Sequence, residues 1–533
     1  MSMDDRTAYV LLAATIVLGL SLSSVFFAGP FYSFDDGTYI TYAHQLLNGT
    51  FSIAESPYAY GFLFPASIAS SFAVFGINVP ASFIPQLAEY IALIVISFAA
   101  ARRLYGSSTG AVSAFIIATA PFVVGYSTRV LPDMALGVVA GLSLLSFIYA
   151  QEGGKKGKLL YFLSGALAAL TVYIKLIGLA FVLFFAIALL LHRIAGRKAA
   201  KGLRPGFLYS LAGAVALMLL YAGIFQLYGN GIFPALAAYG QNQHAISPTT
   251  LGKNSDSLLT ALFGEFGYNN PYNEFAPITD PQVFPLGLSI LFAICGTLIG
   301  LAKRDRSLLF VSVILWGVFL YLFFGTVTLN SYNLITVISR YFILVSVPIA
   351  VLSSYSLRSI SSYMASRLRL RMSYSMMLLL AAATVSNVPA YNALYNYNAS
   401  ISGDIHAFSG LVAYPGLQGN ATRLYVSGPY QSINFISFLS GYAPIRGATT
   451  APLNILKKTD ATAWATGACR RGGNVYLAIV YSNNSESLYA SVLNNWIAPN
   501  CNLAEVETFR DNLSSESAYN GMGVEIRLYK ATG

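Results

Sequence analysis

Two adjacent carboxylates, Asp35 and Asp36, stand in "YSFDDGTYITYAHQLLNG", directly after the apolar run "AYVLLAATIVLGLSLSSVFFAG". Helix chemistry accounts for one of them. Ser33 and Asp36 have the S-x-x-D spacing of a capping box, and an acid in a first helical turn meets the positive end of the helix dipole. Asp35 has no such local task. A third acid, Asp133, follows Arg129 in "STRVLPDMALG", where Pro132 and Asp133 also suit a helix start. Lys175 in "LTVYIKLIGLAF" and Arg340, next to Tyr341 in "TVISRYFILVSVPIA", are cations inside long apolar surroundings. Arg340 falls at a helix start, the unfavourable end of the dipole for a cation, so an anion is expected beside it. Carboxylates that take a proton and cations that hold a phosphate suit an anionic lipid substrate.

The elements that position these residues follow from composition. The chain has 533 residues, of which 56% are hydrophobic and 10% charged, with a mean hydropathy of +0.61. That excludes a soluble enzyme and describes a polytopic α-helical membrane protein. Apolar stretches of spanning length lie at 8–28, 80–101, 108–126, 133–150, 158–173, 175–192, 206–227, 284–302, 307–325, 340–357 and 373–390, about eleven helices by the ~20-residue criterion. The first reads as an uncleaved helix, because "MSMDDR" before it carries two acids and one Arg and makes a poor signal-peptide n-region. A further apolar piece at 60–76 is short, contains Pro65 and is expected along the membrane surface. From Asp36 onward, Tyr39, Ile40, Ala43, Leu46 and Leu47 recur at helical spacing, which predicts a short amphipathic helix at the interface.

Charge sets the orientation. With 60–76 left out of the count, the basic clusters at Arg102–Arg103, Lys155–Lys158, Arg193–Arg204, Lys303–Arg306 and Arg358–Arg371 all fall on the side of the N-terminus. The positive-inside rule then places the N-terminus in the cytoplasm of a multi-pass cell-membrane protein. The formal net charge of +10 is a topological signature and gives no reason to expect nucleic acid. Outer loops are expected at 29–79, 228–283 and 326–339, and residues 1–390 form the membrane domain. Residues 391–533 change character, with strand-like "RLYVSG", "NVYLAIVYS" and "VEIRLYK" among helix-like "QSINFISFLSGY" and "ESLYASVLNNWI", and read as a small extracytoplasmic α/β domain. Sequons at Asn48, Asn398, Asn420, Asn483 and Asn512 fall on this outer side. There Cys469 and Cys501 are free to pair as a disulfide. No cysteine spacing suits a metal. His244, Glu265, Glu274 and Asp280 in the 228–283 loop are candidate ligands or sugar contacts but read first as solvated loop charges.

The ordered set "FDDGTYITYAHQLLNG", "PYAYGFLFP", "RRLYG", "STRVLPDMAL", "LTVYIKLIGLAF" and "SRYFILVSVPIAVL" resembles the GT-C membrane glycosyltransferases, specifically the protein O-mannosyltransferase and aminoarabinose-transferase-like group, over residues 8–390. The resemblance implies a sugar moved from a polyprenyl- or dolichyl-phosphate donor to an acceptor hydroxyl of a protein, lipid or glycan, by a single inverting displacement on the outer face. It implies catalytic carboxylates at Asp35, Asp36 and Asp133, with Asp35 as base, and donor contacts at Arg129, Lys175, Arg340 and Tyr341. The sequence departs from the pattern in having Asp-Asp where Asp-Glu is usual and "YGFLFP" where Pro-Pro-Leu is usual. Neither a W-W-D nor a D-x-D motif is present, so no cofactor is required and a divalent metal, though compatible, is not implied. The alternative is a transporter or flippase of a lipid-linked sugar. It would need polar residues continuing to the cytoplasmic side, and the expected spans hold scarcely any acid besides Glu89.

Overall fold

A chain that crosses a bilayer must satisfy its backbone N–H and C=O groups internally, so the apolar runs fold as helices. The computed structural model describes residues 4–26, 34–52, 61–151, 154–195, 203–227, 287–325, 339–368, 371–388, 390–391, 394, 408–417, 422–427, 449–453, 458–471, 474–481, 486–510 and 525–532. Its helices are α1 (Asp5–Val25), α2 (Phe34–Leu47), α3 (Leu63–Phe75), α4 (Val79–Tyr105), α5 (Ser107–Ala118), α6 (Pro121–Tyr126), α7 (Asp133–Ala150), α8 (Gly154–Ile174), α9 (Gly178–Ala195), α10 (Leu203–Leu227), α11 (Gly287–Lys303) and α12 (Arg306–Phe324). A 3-10 turn, Ser339–Val345, leads into α13 (Ser346–Leu368), and α14 (Met372–Val385) follows. Among the described residues seven helices are long and apolar enough to cross a membrane, and five shorter apolar ones accompany them. This is the architecture of a multi-pass membrane protein. The 60–76 piece forms the 13-residue α3, about 20 Å long at 1.5 Å per residue and too short to cross ~30 Å of hydrocarbon upright.

The chain divides into two compact units, one of Met1–Phe26, Thr50–Ser67 and Ile84–Leu394, the other of Phe27–Gly49, Ile68–Phe83 and Tyr395–Gly533. In the first, the expected span 108–126 is broken into α5 and α6, and the expected span 340–357 starts as the 3-10 turn and continues as helix to Leu368. Pro121 sits at the first position of α6 and has no N–H to continue the α5 ladder. The carbonyls released at the break find side-chain donors. Tyr90 Oη donates to Ala118 O at 2.7 Å, while Asn387 Nδ2 and Tyr391 Oη donate to Thr119 O at 3.1 and 3.0 Å. The break therefore leaves no buried carbonyl of these two residues unsatisfied, and the segment after it is free to leave the helical path inside the protein.

Close helix packing uses small residues, since apolar side chains gain little by leaving lipid for protein. Between α8 and α10, Ser164 Oγ and Ser210 Oγ lie 3.1 Å apart and Ser210 Oγ donates to Tyr161 O at 2.9 Å. A Cβ at Gly213 would run into the Phe162 carbonyl, whereas a Cβ at Gly223, on the same helix, meets nothing within 4 Å. Gly213→Ala is therefore expected to cost about 1–3 kcal/mol by overpacking, seen as a lower thermal midpoint in detergent, with Gly223→Ala near wild type. Equal midpoints for the two variants would show that the α8–α10 contact is not tight. The remaining face of α10 exposes Leu208, Leu211, Val215 and Leu219, as a lipid-facing surface requires.

In the second unit, α2 buries Asp36, Tyr39, Ile40, Tyr42 and Ala43, while Leu47 is exposed. The apolar stripe read as an interface seam is thus covered by protein over most of its length, and only its last turn is open. The C-terminal part is an α/β sheet of β1 (Arg423–Ser427), β2 (Thr449–Pro452), β3 (Val475–Tyr481), β4 (Asn502–Arg510) and β5 (Glu525–Thr532) in the order β2-β1-β3-β5-β4. β1 pairs in parallel with β2 and β3, and β5 runs antiparallel to β3 and β4. α15 (Lys458–Arg471) makes the crossover from β2 to β3. Val475, Leu477 and Ile479 pack against Ala461, Trp464 and Ala465 of α15, and Tyr476 and Ala478 pack with Phe408 and Leu411 on the opposite face. Both faces are covered, which is why β3 reads as a continuous apolar run. Cys469 of α15 is bonded to Cys501, the residue before β4. Of the two expected helices, 486–497 forms α16 (Glu486–Val492) and a π turn, Leu493–Ile497; 431–442 lies outside the described residues, as do His244, Glu265, Glu274 and Asp280.

Candidate active site

The segment Pro121–Asp133 is buried throughout, which is unusual for a connection between helices. Turn hydrogen bonds hold it: Ser127 N to Val123 O at 3.0 Å, Arg129 N to Tyr126 O at 3.3 Å and Leu131 N to Arg129 O at 2.9 Å. Ser127 Oγ also lies 2.7 Å from Ser23 Oγ of α1. The Arg129 guanidinium sits 4.5 Å from the Tyr126 ring centroid, a cation–π contact that gives a buried cation a favourable face.

Asp133 is the first residue of α7 and only 1% exposed. The residue before it, Pro132, makes no side-chain cap, and the Asp133 carboxylate is engaged elsewhere. Lys175 Nζ donates to Asp133 Oδ1 at 2.7 Å, and Arg340 Nε lies 3.9 Å from Asp133 Oδ2. One carboxylate thus sits against two cations and leaves the trio with a net positive charge, at a helix N-terminus that adds partial positive charge. The anion expected beside Arg340 is Asp133.

The two cations arrive from separate elements. Lys175 lies in the turn between α8 and α9, where its N–H bonds Thr171 O at 3.1 Å and Gly178 N bonds its carbonyl at 2.8 Å. Thr171 Oγ1 braces the same turn, 2.6 Å from Ala168 O and 3.2 Å from Gly178 O. Arg340 is the second residue of the 3-10 turn that leads into α13. Tyr341 stands between the cations, its ring centroid 4.7 Å from Lys175 Nζ and 6.0 Å from Arg340 Cζ. The side chains of Lys175 and Arg340 keep 16% and 15% exposure, so neither is fully enclosed. The structure therefore brings together Asp133, Lys175, Arg340 and Tyr341. Chemically, two cations that share one carboxylate, beside an aromatic ring, are an arrangement suited to an anionic ligand.

Asp36 is fully buried in the first turn of α2. Asp35 is the second residue of that helix, and its side chain, like Ser33, falls outside the described residues, so the capping pair is not seen. Tyr126, Ser127 and Ser23 escaped the sequence reading. The aromatic in "GYSTR", three residues before the Arg, was the available signal for the first; the serine pair joins positions 104 apart and left none.

The helical bundle followed by a C-terminal α/β sheet is a fold shared with solved structures. The sequence profile of the dolichyl-phosphate-mannose-protein mannosyltransferase family matches residues 59–226, a stretch that holds Arg129, Asp133 and Lys175 but neither Asp35 nor Arg340. Among solved structures, ArnT from Cupriavidus metallidurans in the apo state superposes with a TM-score of 0.61 at 12% identity over 98% of each chain. The same protein bound to undecaprenyl phosphate gives 0.59, again at 12% identity and 98% of each chain. The oligosaccharyltransferase of Archaeoglobus fulgidus gives 0.54 at 12% identity, covering 92% of this chain and 71% of that one. No curated protein matches the sequence.

Proposed function

We propose that this chain is a membrane glycosyltransferase that moves a sugar from a polyprenyl-phosphate-linked donor to an acceptor hydroxyl on the outer face of the membrane. The observation that carries the reading is the Asp133-centred pair of cations, Lys175 and Arg340, in a chain of GT-C fold. The undecaprenyl phosphate held by the similarly folded ArnT supports the donor class. In the reaction, the acceptor oxygen attacks the anomeric carbon as the bond to the donor phosphate oxygen breaks, with inversion. Asp35 takes the acceptor proton as base. Lys175 and Arg340 receive the charge that develops on the departing phosphate, and Arg129 and Tyr341 orient the sugar-phosphate. Phosphate leaves readily, so a general acid is dispensable; a divalent metal is compatible with the step and not implied by it. Asp133 takes no proton in this scheme; it keeps two mutually repelling cations in place. Residues 1–390 carry the chemistry, and residues 391–533 form the outer domain, whose Cys469–Cys501 bridge suits an oxidising compartment.

Purified protein in liposomes, given a panel of polyprenyl-phosphate-linked hexoses and pentoses with Ser/Thr-rich peptides and membrane glycolipids as acceptors, is expected to release free polyprenyl phosphate together with a sugar-acceptor adduct. Movement of the sugar lipid between leaflets without any covalent transfer would replace this reading by the transporter.

A further inference from the structure

We infer that Asn48 is an N-glycosylation site: its side-chain amide carries an oligosaccharide delivered from a polyprenyl-diphosphate-linked donor by the cell's own oligosaccharyltransferase. The inference rests on the outward orientation of the proposed function and on nothing in its chemistry. Asn48-Gly49-Thr50 has the N-x-T spacing, and all three residues are described and exposed. The tripeptide directly follows α2. Asn48 N bonds His44 O at 3.1 Å, and Gly49 adopts φ +68°, the left-handed conformation that ends a helix. The space around the turn is open, since a Cβ built on Gly49 meets nothing within 4 Å. Among the described residues the Thr50 hydroxyl makes no hydrogen bond. Of the other sequons, Asn398, Asn420, Asn483 and Asn512 lie outside the described residues; Thr422, the third residue of Asn420-Ala421-Thr422, is only 1% exposed at the threshold of β1.

The chemistry fits the local contacts. The Asn48 amide nitrogen attacks the anomeric carbon of the donor, the carbon–oxygen bond to the diphosphate breaks, the lipid diphosphate leaves and one amide proton passes to a base of the transferring enzyme. Asn48 Nδ2 lies 3.0 Å from His44 Nε2, one turn back on α2.

The test uses the full-length chain in membranes that contain an N-x-S/T oligosaccharyltransferase and its lipid-linked oligosaccharide. Peptide mass mapping is expected to show a glycan on Asn48 that N48Q and T50A abolish and T50S retains, with sugar transfer by N48Q within about twofold of wild type. In parallel, L47C is labelled with a membrane-impermeant maleimide from either side. Outside labelling with an unmodified Asn48 overturns the inference and leaves the orientation standing; labelling from the cytoplasm alone overturns both.

Discussion

Asp35→Asn is expected to lower sugar transfer by roughly two to four orders of magnitude while polyprenyl-phosphate binding persists, because the change keeps the shape of the side chain and removes the basic oxygen. The neighbouring substitution is the internal control. Asp36 is fully buried in α2, so Asp36→Asn should act first on folding yield and thermal midpoint, and on turnover only through them. Measuring transfer and carrier binding separately on both purified variants distinguishes the roles. Near-normal turnover in Asp35→Asn would remove it as the base and direct attention to Asp36.

Asp133→Ala is expected to have the largest effect on stability. It leaves Lys175 and Arg340, each mostly buried, with their shared counter-charge gone, and breaking a buried pair in this way costs about 3–5 kcal/mol. The thermal midpoint in detergent should drop accordingly, and transfer should be lost with it. A phosphate can replace the missing carboxylate, so added polyprenyl phosphate should raise the midpoint of Asp133→Ala more than that of wild type. Lys175→Met in the same background should recover part of the lost stability by removing one of the stranded charges, a coupling that a double-mutant cycle reads directly. A wild-type midpoint for Asp133→Ala would show that the two cations need no organiser, and an unchanged response to polyprenyl phosphate would remove the phosphate from this site.

The local parts of this protein are written in short stretches of its sequence. Hydropathy alone marks α1, α4, α7, α8, α10 and α12, because ~20 consecutive apolar residues have few folds open to them in a bilayer. "RLYVSG", "NVYLAIVYS" and "VEIRLYK" become β1, β3 and β5, each an apolar run too short to span and rich in β-branched or aromatic residues. Two strands went unread: "TTAP" is only four residues long, and "NLAEVETFR" is mostly polar because it forms the edge of the sheet beside β5. The sequence also singled out Asp133, Lys175 and Arg340 by the cost of placing charge in so apolar a chain, and the dipole argument at Arg340 called for an anion without saying which.

Tertiary structure alone decided the partnership. Lys175 and Arg340 reach Asp133 from positions 42 residues later and more than 200 residues later in the chain, and no local rule of periodicity or capping links positions so far apart. The break between α5 and α6 was equally hidden. Pro121 is visible in the sequence, but a proline in a membrane helix can kink it or end it. The outcome here depends on Tyr90, Asn387 and Tyr391 standing ready to take the carbonyls of Ala118 and Thr119. Sequence fixes which groups must be satisfied; only the packed chain determines which distant side chain satisfies them.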